Sequence, residues 1–427
     1  MESTGIRLGL VSLARPTFDI PLATRVAAQA RSQLERAGFS LTGPETLVTD
    51  VSEARKATQE LAINPPDLLL VFQATFADST MVMSLAREVD APLLLWAVPE
   101  VRAGGRLRLN SLCGINLAAH ALKRTRCHYD FVYAAADDPA ALERVRTVAL
   151  AGRVRRLLRQ ARVGRIGEHP DGMETCRFDK DALKRFLGVE VVPIELERVF
   201  QRVRTTDPQQ IDVMVRKLST KLDGLHQLDQ VAFRGTLGVY VTLRQLVDQE
   251  GLNGLAVRCW PEFFTELGAA ACGASSLLND ELIPASCEAD VNGAVTQLLL
   301  QWLSGEPAFG SDLVAVDKEE DVAVLWHCGK APLSMADPTV RPRGTIHSNR
   351  RLPLLMEFPL KPGRVTLARL SEATGSYRLV VSSGEVLRAS ISFSGTSGVL
   401  RFDRPAIEVL NTILDEGLEH HLSLTYG

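Results

Sequence analysis

The sequence predicts an α/β fold: two doubly wound α/β domains followed by a β-rich, barrel-like C-terminal domain. Three observations carry that expectation. Through most of the chain, short apolar runs alternate with stretches of helical period. Runs such as "PDLLLVF" and "APLLLWAV" are apolar at consecutive positions, as strands covered on both faces of a parallel sheet must be. From about residue 305 the texture changes to short β-rich segments separated by Gly, Ser and Pro.

In order, "IRLGLVSL" reads as a strand and "PLATRVAAQARSQLERAG" as a helix closed by glycine. "PPDLLLVFQAT" and "APLLLWAVPE" are buried strands, "NSLCGINLAAHALKR" is a helix with an Asn or Ser cap, and "DFVYAAADD" is a further strand. The helix "DPAALERVRTVALAGRVRRLLRQA" closes a first domain at 1–160. Functional groups are expected where such strands end, near Arg15, Gln73 and Glu100. "QARVGRIGEHPDGM" opens a second domain, 161–304, which runs through "GVEVVPIELERVF" and "GLNGLAVRCWPEFF" to the helix "NGAVTQLLLQWLSG". The third, 305–427, holds "VAVLWHCG", "GRVTLARL", "YRLVVSSGEVL" and "GVLRFDRP", then one helix, "AIEVLNTILDEG", before "LEHHLSLTYG".

Lysine and arginine number 48 against 51 acids, so net charge gives no reason to expect nucleic acid or an anionic membrane as partner. The seven cysteines are scattered and never spaced CxxC, which argues against a disulfide framework or a structural zinc site. The start carries Glu2 and an apolar stretch too short for a signal peptide, and no run approaches the length of a spanning helix. The expectation is a cytoplasmic protein.

No glycine loop fits a phosphate-binding or dinucleotide fingerprint, and GxSxG and HExxH are absent. Four separated clusters of acids and histidines remain. In "CWPEFFTE", Glu262 follows a strand end and Glu266 lies one helical turn on; first-turn helix charge is the plainer reading. In "SCEADVNGA", Glu288 and Asp290 sit two apart, either as helix-start acids or as ligands for a divalent metal. In "VLWHCG", His327 ends an apolar strand, as a ligand or as a hydrogen-bonded structural residue. In "LEHHLSL", His420 and His421 are adjacent, and neighbours on a strand point to opposite faces, so one of the two is expected at any given site. His347 reads as surface loop, and Cys287 and Cys328 as small packing residues.

Taken together, "RPTFD", "CWPEFF", "CEADVNG", "WHCG", "GRVTLARL" and "GLEHH" resemble, in succession, the L-fucose isomerase and L-arabinose isomerase superfamily, most closely its shorter fucose-isomerase-like members. The resemblance covers most of the chain beyond residue 230, with "RPTFD" the main anchor before it. It implies a Mn²⁺-type (or Mg²⁺ or Co²⁺) aldose–ketose isomerase working through a cis-enediol on an unphosphorylated or substituted, for instance sulfonated, sugar. It gives Asp290 a metal-ligand role and Glu262, or Glu266, the place of the acid that ligates metal and acts as base. His421 is the favoured imidazole ligand, with His420 beside it and His327 at the site. Arg15 matches an arginine that reaches substrate, often from a neighbouring subunit, which implies a homo-oligomer, trimer or hexamer. Arg102, Arg106 and Arg108 are consistent with an anionic substrate group, though basic turns are usually solvated surface. An epimerase or aldolase on the same scaffold, and a sugar-binding protein without catalysis, are the alternative functions.

Overall fold

The computed structural model describes residues 5–427 except residue 103. The chain divides into two compact units, Met1–Leu157 and Leu158–Gly427.

The first unit is a five-stranded parallel sheet: β1 (Arg7–Leu13), β2 (Ser40–Thr42), β3 (Leu68–Gln73), β4 (Leu93–Ala97) and β5 (Asp130–Tyr133), in the order β2-β1-β3-β4-β5. β3 and β4 are buried at every position, as their unbroken apolar runs require. Helices cover both faces, and three of them begin on an aspartate, Asp19, Asp50 or Asp78, whose carboxylate accepts a first-turn N–H. Glu100 accepts the backbone N–H groups of Arg108, Leu109 and Asn110, so it ties down a loop. Arg108 pairs with Asp19, Arg106 donates to the Thr17 carbonyl, and Arg102 is exposed, which makes this basic turn a solvated surface.

The second unit contains a four-stranded parallel sheet and a barrel. β6 (Arg162–Ile166), β7 (Glu190–Ile194), β8 (Gly254–Val257) and β9 (Ala285–Ser286) form the sheet in the order β7-β6-β8-β9. The barrel follows with β10 (Phe309–Asp317) and β11 (Val322–His327). A short antiparallel pair, β12 (Arg343–Thr345) and β13 (Leu355–Pro359), leads into β14 (Gly363–Ser371), β15 (Arg378–Leu387), β16 (Thr396–Phe402) and β17 (His421–Tyr426). Six of these run β11-β10-β17-β14-β15-β16, and the β11–β16 pairing closes the ring. Closure removes the free edges that an open sheet would leave. The helix Val291–Ser304 is apolar almost all round and buried through nearly its whole length, because it packs against β8 of the sheet and against β14 and β17 of the barrel. The sheet and the barrel thus share one hydrophobic core.

Candidate functional site

The barrel delivers side chains in a row. β10 and β17 pair antiparallel with Asp312 opposite His421, so those two side chains share a face. β11 flanks β10 with Trp326 opposite Asp312, which puts His327 at the strand's last position beside it. On the other side of β17, β14 contributes Arg369. His327 and His421 stack with ring centroids 5.7 Å apart.

The segment "CEAD" meets this row from the sheet side. Glu288 and Ala289 both adopt positive φ, 56° and 54°, a conformation costing roughly 1–2 kcal/mol per non-glycine residue. The turn is held by Ala289 N–H to the Val257 carbonyl and Asp290 N–H to that of Cys287. Asp290 then caps the helix Val291–Ser304 by accepting the Gly293 N–H at 2.8 Å. Asp290 thus stands both at the helix start and against the side chains of the barrel row. Its Oδ2 accepts from Arg369 Nη1 at 2.6 Å and from His421 Nδ1 at 2.9 Å, and Arg369 Nη2 reaches Oδ1 at 3.1 Å. Side chains of Asp290 and Arg369 are 1% and 0% exposed, and Glu419 adds a second acid 3.4 Å from the guanidinium. Gly293 is required here, since a Cβ would collide with the Asp290 carboxylate. Burial alone would raise Asp290, but the guanidinium and the His421 hydrogen bond hold it well below the usual carboxylate range.

Glu288 is the more accessible acid, its side chain 13% exposed. Its Oε1 accepts from Trp260 Nε1 at 2.9 Å and its Oε2 lies 3.1 Å from His420 Nε2. Thr175 Oγ1 meets the other nitrogen of His420 at 2.5 Å. Burial opposes charge on both partners, yet their hydrogen bond and the surrounding charges lower Glu288 below 4.5 and raise His420 above 6.5. His420's contribution to stability is whole below its unfolded value and is lost as pH rises through the raised one. Glu288's is whole above its unfolded value and is lost as pH falls through the lowered one. In chelator-treated protein, urea midpoints are therefore expected to fall as pH climbs above His420's ordinary value of 6.5, and His420→Gln to flatten that limb. An unchanged slope in the variant would refute the pairing.

Hydrogen bonding assigns the tautomers. His421 gives its Nδ1 proton to Asp290, which leaves Nε2 as a bare lone pair 3.8 Å from Asp312 Oδ1 and 4.0 Å from Glu288 Oε2. Asp312 Oδ1 is buried without a hydrogen-bond partner. His327 Nδ1 accepts the Cys328 backbone N–H at 2.8 Å, so its Nε2 carries the proton, also buried and unpartnered. Asp312, His327 and His421 offer atoms within 4.8 Å of one another. By tautomer His421 and Asp312 are electron-pair donors to a cation, while His327 is a proton donor. The Asp312 carboxylate and the His421 imidazole, with the Asp290 carboxylate behind that histidine, are donor types that suit a divalent ion such as Mn²⁺, Mg²⁺ or Co²⁺.

Of the residues nominated from sequence, the structure brings together Asp290, His327, His420 and His421. Asp290, expected as a ligand, has its oxygens taken by Arg369, His421 and the helix start. Glu262 gives both oxygens to Arg258, at 2.7 and 2.8 Å, and that hydrogen bonding lowers its carboxyl. Glu266 is exposed at the end of the short helix Glu262–Thr265. Arg15 belongs to the first unit, its guanidinium 5.8 Å over the Phe76 ring. Both histidines of the pair face one site because β17 begins only at His421, so pleated alternation does not govern His420; their rings are 3.9 Å apart. His347 is buried, with Phe264 edge-on to it at 5.4 Å.

Near the site four buried thiols, three from the stretch 259–287 and the fourth just after β11, form a chain. Cys259 Sγ lies 2.8 Å from Cys287, Cys287 is within hydrogen-bonding reach of Cys328, and Cys328 lies 3.3 Å from Cys272. All seven cysteines are free.

Residues 9–148 match the family model for the fucose/sulfoquinovose isomerase N-terminal domain. A sulfoquinovose isomerase of Priestia megaterium (strain ATCC 12872 / QMB1551) is 31% identical over 98% of this chain and 94% of its own length. Another, from Alkalicoccus urumqiensis, is 31% identical over 97% and 93%. One from Clostridium sp. (strain MSTE9) is 28% identical over 96% and 92%. Among the described residues no helix is long and apolar enough to cross a membrane.

Proposed function

Because the chain belongs to the fucose/sulfoquinovose isomerase family, we propose that it interconverts the aldose and ketose forms of a hexose sulfonated at C6, sulfoquinovose, at the cluster around Glu288, Asp312 and His421. The observation that carries this reading is the set of buried, unpartnered atoms on Asp312 and His327, facing the bare Nε2 of His421 beside an accessible carboxylate.

Isomerisation moves one proton between C1 and C2 through a cis-enediol, with the carbonyl oxygen gaining charge on the way. Glu288, held ionised by His420 and the Trp260 N–H, takes the C2 proton and returns it to C1, while the O2 hydroxyl proton passes to O1 so that the carbonyl moves from C1 to C2. His327 directs its Nε2–H at the substrate oxygens, where a hydrogen bond gains strength as charge develops. Asp290, pinned by Arg369, fixes the tautomer and ring plane of His421 and serves to orient rather than to ligate. Asp312 and His421 would hold a divalent ion, Mn²⁺ by preference, and such an ion would supply charge stabilisation to the sugar's first two oxygens.

The test is ¹H NMR of purified protein with sulfoquinovose in D₂O. Ketose formation is expected, with solvent deuterium entering at C1 or C2. Chelation should reduce the rate at least about 100-fold and added Mn²⁺ restore it, since one well-placed charge stabiliser is worth about that much. Turnover indifferent to chelation would remove the ion from the reading; absence of any exchange would remove the isomerase.

We also propose that the protein works as a homo-oligomer, in which Arg15 serves a neighbouring copy. Support comes from the edge strand β5, where Phe131 and Tyr133 are 60% and 49% exposed on one face. Light scattering checks it.

A further inference from the structure

The arginines around the cluster are not equivalent. Arg258 is neutralised by Glu262 and Arg369 by Asp290 and Glu419. Arg350 is different. Its guanidinium carbon lies 4.7 Å from the Trp260 ring centroid and 5.5 Å from that of Phe264, and Nη1 is 3.2 Å from His347 Nε2. Among the described residues no carboxylate pairs with it. A half-buried guanidinium, braced by two aromatic faces and left without a counter-ion, is prepared for an anion from outside the chain.

Its position relative to the reacting end is fixed by one indole. Trp260 carries Arg350 on its face and donates its Nε1–H to Glu288 at 2.9 Å. The guanidinium therefore lies within about 10 Å of the Glu288 carboxylate, and an open-chain hexose with C2 at that carboxylate carries its C6 substituent about 6 Å along the chain, given C–C bonds of about 1.5 Å. The remaining few ångströms are what a sulfonate and its hydrogen bonds occupy. Arg102, Arg106 and Arg108, the basic turn singled out from sequence, lie in the other unit, where Arg108 is already paired.

We propose that Arg350 is the sulfonate-binding, specificity-determining residue, with Trp260 as the shared wall between the anion subsite and the proton-transferring carboxylate. The assignment rests on the sulfosugar reading above and adds to it which cation selects for the C6 substituent. Planar, bidentate hydrogen bonding to two sulfonate oxygens favours arginine over lysine at this position.

Two measurements separate this assignment from the isomerase reading. In the first, Arg350→Gln and Arg350→Lys are compared with the parent on sulfoquinovose and on 6-deoxyglucose, which lacks the anion. Arg350→Gln is expected to lose about 100-fold in kcat/KM on the sulfosugar, chiefly through KM, and to change less than about threefold on 6-deoxyglucose, with Arg350→Lys between. An equal loss on both sugars, or no loss on sulfoquinovose, overturns the assignment. In the second, 2-hydroxyethanesulfonate is titrated against tryptophan fluorescence, which needs no turnover. Saturable quenching is expected in the parent, and a dissociation constant at least about tenfold weaker in Arg350→Gln. Equal binding by parent and variant, or none by the parent, overturns the anion subsite whether or not the protein isomerises any sugar.

Discussion

Replacing Arg369 with methionine should cost the protein about 3–5 kcal/mol of stability, a large fraction of what holds any domain together. The side chain is 0% exposed and bridges two acids, Asp290 at 2.6 Å and Glu419 at 3.4 Å. Methionine fills much of the volume but leaves both carboxylates buried without their counter-charge, and neither can move to water. Asp290 is also the helix cap and the partner of His421, so the damage spreads to the start of the helix Val291–Ser304 and to the site. Arg369→Lys should recover only part of the loss, because an ammonium cannot span both oxygens of Asp290 at once. Urea unfolding followed by tryptophan fluorescence gives the numbers. A loss below about 1 kcal/mol would mean that the pair is as unimportant as an exposed one.

Replacing Glu288 with glutamine should lower kcat by about 10²–10⁴-fold while the protein stays folded. Glutamine is isosteric, and its carbonyl oxygen still accepts the Trp260 N–H, so the strained turn at Glu288 and Ala289 is kept. What is lost is the atom that carries the proton and the negative charge facing His420. Rates on sulfoquinovose, together with unchanged circular dichroism, check this. If the variant turns over within tenfold of the parent, proton transfer is done elsewhere, and Glu262, with its partner Arg258 displaced by substrate, is the next carboxylate to replace.

Much of this was legible in the sequence because it is written in period and punctuation. The unbroken apolar runs of β3 and β4 and the change of texture before the barrel both report local rules that tertiary context did not override, whereas the Asn110 side chain makes no cap bond to the helix it precedes. The clusters "CEADVNG", "LWHCG" and "LEHH" were also visible, and they do converge. What sequence could not show is which lone pair each residue keeps. Asp290 and Glu288 are two positions apart, yet one is consumed by a buried guanidinium and the other pairs with His420 and the Trp260 N–H, a difference set in part by β14, some eighty residues downstream. Glu262 drew attention by its place at a strand end, but Arg258, the residue just after β8, claims both of its oxygens. Asp312 and Arg369 were overlooked as individuals, although each left a signal: a charge in the interior of a β-rich run, "FGSDLVAVD" and "GRVTLARLS", that needs a partner if it turns inward. Register decides that partner, and register is fixed only on closure.

The buried thiols turn this protein into its own stopwatch. Cys113 and Cys127 in the first unit are half-buried, whereas the five cysteines of the second unit are all buried. An alkylating reagent in excess should mark the first pair early and reach Cys259, Cys272, Cys287 and Cys328 only when the strands and turns bearing Trp260, Glu288 and His327 part company. Mass spectrometry of quenched samples then reads how often that region breathes, with the fast pair as an internal reference, and a sugar or ion that settles in the site should slow the second wave without touching the first.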